Sequence, residues 1–276
     1  MVSNFHLPPM GFGPGSQPED EDAQLEYMKL PSGMRTYSAH MPDIDDPSSV
    51  TPALKTLADV AKACEAAAQG GMASFDLSHL DAENRALIAE TMGQGEVAMK
   101  IRGIPALAVQ ESVFAGVWMI AGAGVDKIEV GPVPSAALSR AFEPFRKAEG
   151  KTHPRGPGVV NAPALMAELE DKSGSFMGGE PHVVNLTLLP HTEEDLVWLD
   201  AAAGEGAVTI LSRGYGNCRV TATALPHVWR VQFFNSMDTL ILDTFEVTTM
   251  PEVAIAAKED LVDSAERIVE VLEAIR

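Results

Sequence analysis

Two cysteines, Cys64 and Cys218, are among the residues of this sequence whose types could do chemistry. Two thiols exclude a disulfide framework, and a closed zinc site would need histidine ligands as well. Cys218 and His227 fall on neighbouring predicted strands, so they could meet as two ligands of a zinc or iron site. Free cysteine is also among the residues most often simply buried. The sequence leaves both interpretations open, and we favour the buried thiol.

An Arg-Gly dipeptide ends a predicted strand in two places, Arg102-Gly103 and Arg213-Gly214. Each arginine could pair with a buried acid, for which Glu129 and Glu246 are the candidates. An internal pair of this kind would fix a turn more than it would add stability. The alternative is that the dipeptide forms a repeated edge that binds a partner.

Two tryptophans, Trp118 and Trp229, pose the same choice, because tryptophan dominates both protein cores and interface hot spots. We favour core packing for both. The residues retained as candidates for binding a partner are Arg102, Gly103, Trp118, Arg213, Gly214, Tyr215, Cys218 and Trp229.

Sequence motifs that would indicate an enzyme are absent. The glycine-rich turns Gly93-Gln-Gly95 and Gly204-Glu-Gly206 close a predicted helix and lead into a strand, whereas phosphate-binding glycines follow a strand and open a helix. The sequence has no Gly-x-Ser-x-Gly, His-Glu-x-x-His or Cys-x-x-Cys motif. We therefore expect no catalytic residues, no resident cofactor and no metal site.

Composition narrows the classes of partner. A formal net charge of −19 disfavours nucleic acid, whose binding requires Lys and Arg. No apolar run reaches the roughly 20 residues of a membrane span, so we expect no membrane insertion. The first 15 residues lack the basic and apolar regions of a secretory signal. We expect a soluble, cytoplasmic protein.

Comparison of the sequence with itself indicates an internal duplication. Arg102 and Arg213 are separated by 213 − 102 = 111 positions, and the two tryptophans by 229 − 118 = 111. With a six-residue insertion in the second copy, the segment 128–130 then matches the segment 245–247. Matches that keep their order over this length are not expected by chance, so we predict two copies of one structural unit.

The predicted fold class is α+β. Each copy is expected to run helix, strand, helix, antiparallel meander and closing helix. Asp81 and Thr192 are predicted helix N-caps, the latter with Asp195 three residues on. The expected divisions are a flexible N-terminal arm (1–50), a first repeat (51–148), a linker (149–160) and a second repeat (161–276). Within the second repeat, strands are predicted at 183–189, 207–212, 217–224, 228–234 and 240–247, and the closing helix is predicted at 251–275.

Several stretches resemble the hydrogenase expression proteins named HupH, HyaF or HoxQ. They span nearly the whole chain and are GFGPGSQP at 11–18, PSGMRTY at 31–37, EPHVVNLTLLPHTEEDL at 180–196, GEGAVTILSRGYGNC at 204–218 and WRVQFFN at 229–235.

This resemblance implies a cytoplasmic accessory protein of [NiFe] uptake hydrogenase. Such a protein would act as a chaperone or scaffold on the precursor of the iron–sulfur small subunit before export. Its further expected partner is another hydrogenase accessory chaperone, and the small subunit would pair with the large subunit afterwards. The precursor would carry a basic twin-arginine signal, which an acidic surface could attract. The alternative function is a transient carrier that inserts iron or nickel.

Overall fold

Ten antiparallel strands form one continuous sheet in the computed structural model, which describes residues 48–214 and 216–275. The strand order is β1-β5-β4-β3-β2-β7-β8-β9-β10-β6. The strands are β1 (Ala73–Asp76), β2 (Val97–Ile101), β3 (Leu107–Glu111), β4 (Val117–Gly122), β5 (Val125–Val130), β6 (His182–Asn185), β7 (Val208–Ser212), β8 (Asn217–Ala222), β9 (Val228–Phe234) and β10 (Leu240–Val247).

In the described residues, six α-helices and two 3₁₀ turns accompany the sheet. None of the helices in the described ranges is long and apolar enough to cross a membrane. The helices are α1 (Thr51–Ala67), α2 (Ala82–Met92), α3 (Ser135–Ser139), α4 (Ala162–Ser175), α5 (Glu193–Ala203) and α6 (Lys258–Ile275), and the 3₁₀ turns are Gly150–Thr152 and Glu252–Ala254.

The two halves of the sheet meet at β2 and β7. These strands pair antiparallel over five residues each, from Val97 opposite Ser212 to Ile101 opposite Val208. Outward from this seam the first half runs β2-β3-β4-β5-β1, and the second runs β7-β8-β9-β10-β6. Each half therefore places its elements in the same order, and the predicted α+β class with antiparallel strands is confirmed.

Most element boundaries follow the sequence patterns. The four meander strands of the second half lie where they were predicted, whereas β6 ends at Asn185 rather than continuing to Leu189. Thr192 accepts a hydrogen bond from the backbone N–H of Asp195, whose carboxylate in turn accepts from the N–H of Thr192. This is the reciprocal cap that the sequence predicted. The predicted arm, up to residue 47, lies outside the described residues.

Asp195 also fixes the start of α4. Its carboxylate accepts backbone N–H groups from Val160, Asn161 and Ala162 at 2.8 to 3.3 Å. Burial alone would raise the pKa of this carboxyl, but the backbone donors outweigh burial and lower the pKa to about 2. One side chain thus caps α5 and positions the N-terminus of α4.

The closing helix of the second half packs against the first half. The predicted helix 251–275 is interrupted after the 3₁₀ turn, and α6 then lies on α1, where Leu261, Ala265 and Ile268 join the same core as Leu57. The sequence had placed this helix within its own repeat. An amphipathic pattern shows which face of a helix is buried but not which surface covers it.

The segment that follows β5 in the first half packs in turn against the second half. The backbone N–H of Ala207 donates to the carbonyl of Ala141 at 2.9 Å, and Arg146 forms a β-bridge with Glu205. Each half thus sends the segment after its last meander strand onto the other half.

Glu111, on β3, is 7% exposed and accepts a hydrogen bond from the N–H of Gly116 at 3.2 Å. Burial is the main cause that raises its pKa from the ordinary 4.5 to about 7. The folded protein therefore keeps a proton that the unfolded chain loses as pH rises from 4.5 to 7, so ionisation of Glu111 lowers stability over this range.

We expect the Glu111→Gln variant not to lose stability through this ionisation, because glutamine carries no titratable proton. The free energy of unfolding of the variant, relative to that of the wild type, should rise by about 3 kcal/mol between pH 4.5 and pH 8. Urea denaturation at both pH values measures the difference. A difference that does not change with pH would show that Glu111 ionises normally in the folded protein.

Candidate partner-binding groove

Arg102 joins the two halves of the molecule. Its guanidinium lies 2.8 Å from the carboxylate of Glu205 and stacks over the ring of Phe145, with 4.5 Å to the ring centroid. The predicted pairing with Glu129 is wrong, because Glu129 lies on β5, three strands away from β2 in the sheet. Since Arg102 and Glu205 are both partly exposed, their ion pair adds little to stability and mainly fixes geometry.

Arg213, the equivalent of Arg102, has a different environment. At the spacing of 111, the counterpart of Glu205 is position 205 − 111 = 94, which is glutamine. The predicted pairing of Arg213 with Glu246 is also wrong. Arg213 is exposed and has no ion pair within the described part of the chain, so of the two arginines it is the one available to a partner. Tyr215, another candidate, lies outside the described residues.

Both tryptophans belong to the central core, as favoured from the sequence. Trp118 and Trp229 are completely buried, and their indole N–H groups donate to the carbonyls of Gly131 at 2.8 Å and Thr248 at 3.2 Å. Neither ring can be reached by a partner in this conformation. As partner-binding candidates the two tryptophans are therefore wrong.

Cys218 is buried in the same central core, and burial raises the pKa of its thiol to about 12. It is the second residue of β8 and lies opposite Phe233, whereas His227 precedes β9 at the other end of the strand pair and packs on the rings of Phe142 and Phe176. The predicted meeting of Cys218 and His227 is wrong. No group of three or more His, Cys, Asp or Glu side chains among residues 48–214 and 216–275 could hold a metal ion.

A groove of about 600 Å³ opens at the end of the second half. Its floor is the sheet face of β9 and β10, one side is the edge strand β6, and the other side is the segment that contains the Glu252–Ala254 turn. The groove is bounded mainly by apolar side chains and by two carboxylates. The principal lining residues are Val183, Val231, Phe233, Glu246, Glu252 and Ile255.

The carboxylate at the floor, Glu246, has a neutralised counterpart in the first half. Glu129 is its equivalent at a spacing of 246 − 129 = 117, and each glutamate lies opposite the tryptophan of its own half. Lys127 approaches Glu129 to 2.6 Å, and the hydroxyl of Ser135 donates to the same carboxylate at 2.9 Å. Burial raises the pKa of Glu129, but these donors outweigh it and lower the pKa.

The second half replaces both neutralising residues. At the spacing of 117, Lys127 corresponds to position 244, a threonine, and Ser135 to position 252, a glutamate. Thr244 donates to Glu246 at 3.3 Å but brings no charge. Burial and, to a smaller extent, Glu252 raise the pKa of Glu246. The groove therefore contains a half-buried carboxylate with no cation beside it within the described residues.

Comparison with known proteins agrees with the resemblance found in the sequence. The family model described as "HupH hydrogenase expression protein, C-terminal conserved region" matches this chain twice, at residues 49–148 and 159–275.

The chain belongs to the HupH hydrogenase expression protein family.

Curated relatives match this HupH-family chain over almost its whole length. It is 76% identical to the hydrogenase expression/formation protein HupH of Rhodobacter capsulatus over 100% of both chains. It is 43% identical to HoxQ of Cupriavidus necator over 99% of this chain and 98% of that protein. It is 30% identical to the hydrogenase-1 operon protein HyaF of Escherichia coli over 98% and 95%.

The groove of this HupH-family chain was not predicted from the sequence. The sequence suggests Glu246 only as a partner for an arginine, and it predicts meander strands for the segments that contain Val231 and Phe233. A usable signal was present, because alignment of the two copies already changes Lys127 to Thr244 and Ser135 to Glu252. That loss of one positive charge and gain of one negative charge beside the retained glutamate marks the site.

The glycines of the two Arg-Gly dipeptides can be compared by the same substitution in each. Gly103 has a φ of +120°, and a Cβ atom there would overlap the guanidinium of Arg140, which donates to the carbonyls of Arg102 and Pro105. Gly214 has no positive φ, and its Cβ would meet only the mobile end of Glu96.

We expect Gly103→Ala to lower the free energy of unfolding by about 1 to 3 kcal/mol and Gly214→Ala to lower it by clearly less. Thermal and urea denaturation of the two variants provide the comparison. Equal losses would contradict a structural role that is specific to Gly103.

Proposed function

We propose that this chain is an accessory assembly factor in the maturation of [NiFe] uptake hydrogenase. It acts as a chaperone or scaffold in the cytoplasm, binds the precursor of the iron–sulfur small subunit before export, and catalyses no reaction of its own. The names of the relatives, hydrogenase expression/formation proteins and a hydrogenase operon protein, support the hydrogenase assignment.

The observation that carries the binding role is the groove beside β6. Its apolar lining includes the partly exposed side chains Val183 and Ile255, which are 49% and 42% exposed. Concave apolar surface with a few polar groups is typical of binding sites. Glu246 supplies a polar group beside which the described part of the chain places no counter-charge.

We also propose that the two halves arose by duplication. Three observations support this: the matching strand order, the equivalent tryptophan hydrogen bonds, and the family model that matches both halves. The halves then diverged at the positions equivalent to Lys127 and Ser135. In this account the first half became a structural support, and the second half keeps the binding surface.

Affinity purification of the tagged full-length chain tests the function. From anaerobically grown cells that express the hydrogenase, we expect the small-subunit precursor to co-purify, identified by mass spectrometry with its signal sequence intact. A strain that lacks the small-subunit gene is the control and should give no such chain.

Metal analysis of the same eluate separates the proposal from the carrier alternative. We expect no stoichiometric iron or nickel that remains with this chain after the precursor is removed. Stoichiometric metal on this chain in the absence of any precursor would overturn the chaperone function and favour a metal carrier.

A further inference from the structure

We infer that the groove beside β6 receives a lysine or arginine side chain, flanked by apolar residues, from an extended segment of the partner protein. This inference rests on the proposed function, because it states the chemistry by which the assembly factor would recognise its partner.

The two carboxylates of the groove favour a positively charged group as its ligand. Glu246 is half-buried at the floor, and Glu252 stands on the wall beside it. A carboxylate that is withdrawn from water is stable in its charged form only when a cation or several donors accompany it. Thr244 gives Glu246 one hydroxyl donor at 3.3 Å, which leaves most of its capacity unused.

The first half shows what fills the equivalent position. There the ammonium group of Lys127 lies 2.6 Å from Glu129, and Ser135 takes the place of Glu252. The same local fold thus accommodates a cation beside this glutamate. In the second half the chain supplies no cation within the described residues, so the corresponding charge must come from another molecule or segment.

The groove walls suit the rest of such a side chain. Lysine and arginine bury a long apolar stem while they keep the charged head near polar groups. Val231 and Phe233 line the floor beside Glu246, and Ile255 lies on the wall. A volume of about 600 Å³ also leaves room for an apolar neighbour of the cation.

The position of β6 favours an extended partner segment. β6 is the last strand of the sheet, and among the described residues its four residues pair only with β10. An outer strand presents backbone N–H and C=O groups that can pair with an added strand. Alternate side chains of that strand would face the groove as Val183 does, and these are the positions that the cation and its apolar neighbour would take.

Labelled nine-residue peptides with the full-length chain provide the test. The peptides share a leucine-, valine- and threonine-containing sequence and carry a central arginine or a central glutamine. Fluorescence anisotropy should show that the arginine peptide binds at least about tenfold more tightly, because a hydrogen bond between charged groups is stronger than one to a neutral amide.

Variants of the chain locate the effect. Glu246→Gln should remove most of the preference for arginine, and Glu252→Ser, which installs the residue found at the equivalent position 135, should reduce it in part. Glu259→Gln removes one negative charge from an exposed position on α6 and should leave binding unchanged. Near-ultraviolet circular dichroism and the melting temperature verify that each variant is folded.

Two results would overturn the inference: equal affinity for the arginine and glutamine peptides, or unchanged arginine preference in a folded Glu246→Gln protein. Co-purification distinguishes this failure from failure of the proposed function. If the wild-type chain and Glu246→Gln recover equal amounts of the small-subunit precursor, the function stands and the groove assignment falls. If the wild-type chain recovers none, the proposed function itself falls.

Discussion

The antiparallel pairing of β2 with β7 is the contact on which the rest of the architecture depends. It merges two five-stranded halves into one sheet, with Ile101 opposite Val208 at one end of the seam and Val97 opposite Ser212 at the other. The two halves of the joined sheet share one hydrophobic core on one of its faces, and both tryptophans lie in this core. The seam also brings the end of each half close enough to pack on the other, as α6 does on α1.

This exchange explains why the two ends of the molecule differ. α6 belongs by sequence to the second half but completes the core of the first, beside α1 and α2. The groove lies on the other face of the sheet, where Val231 belongs to the same core as the two tryptophans, and it is bounded by the Glu252–Ala254 turn that follows β10. Equivalent glutamates, Glu129 and Glu246, have opposite electrostatic environments, so the two halves contain one neutralised cluster and one carboxylate that has no counter-charge among the described residues.

The sequence predicted what depends on local spacing. Strand periodicity, the Thr192 cap and the burial of both tryptophans follow from residue types within a few positions of each other, and the structure agrees. Long-range pairings were not accessible in the same way. The wrong partner for Arg102 and the wrong placement of α6 share one cause, because both contacts cross between halves whose joining could not be read from either repeat alone. The groove was missed because its apolar residues have the same pattern as core strands.

Hydrogen–deuterium exchange on the complex of the full-length chain with the proposed partner, the small-subunit precursor, tests the central claim most directly. The account predicts that partner binding slows exchange in segments 181–184 and 246–255, while the equivalent first-half segments 70–73 and 129–138 exchange as in the free protein. Protection confined to the first-half segments, or equal protection of both, would contradict the proposal that the second half carries the binding surface.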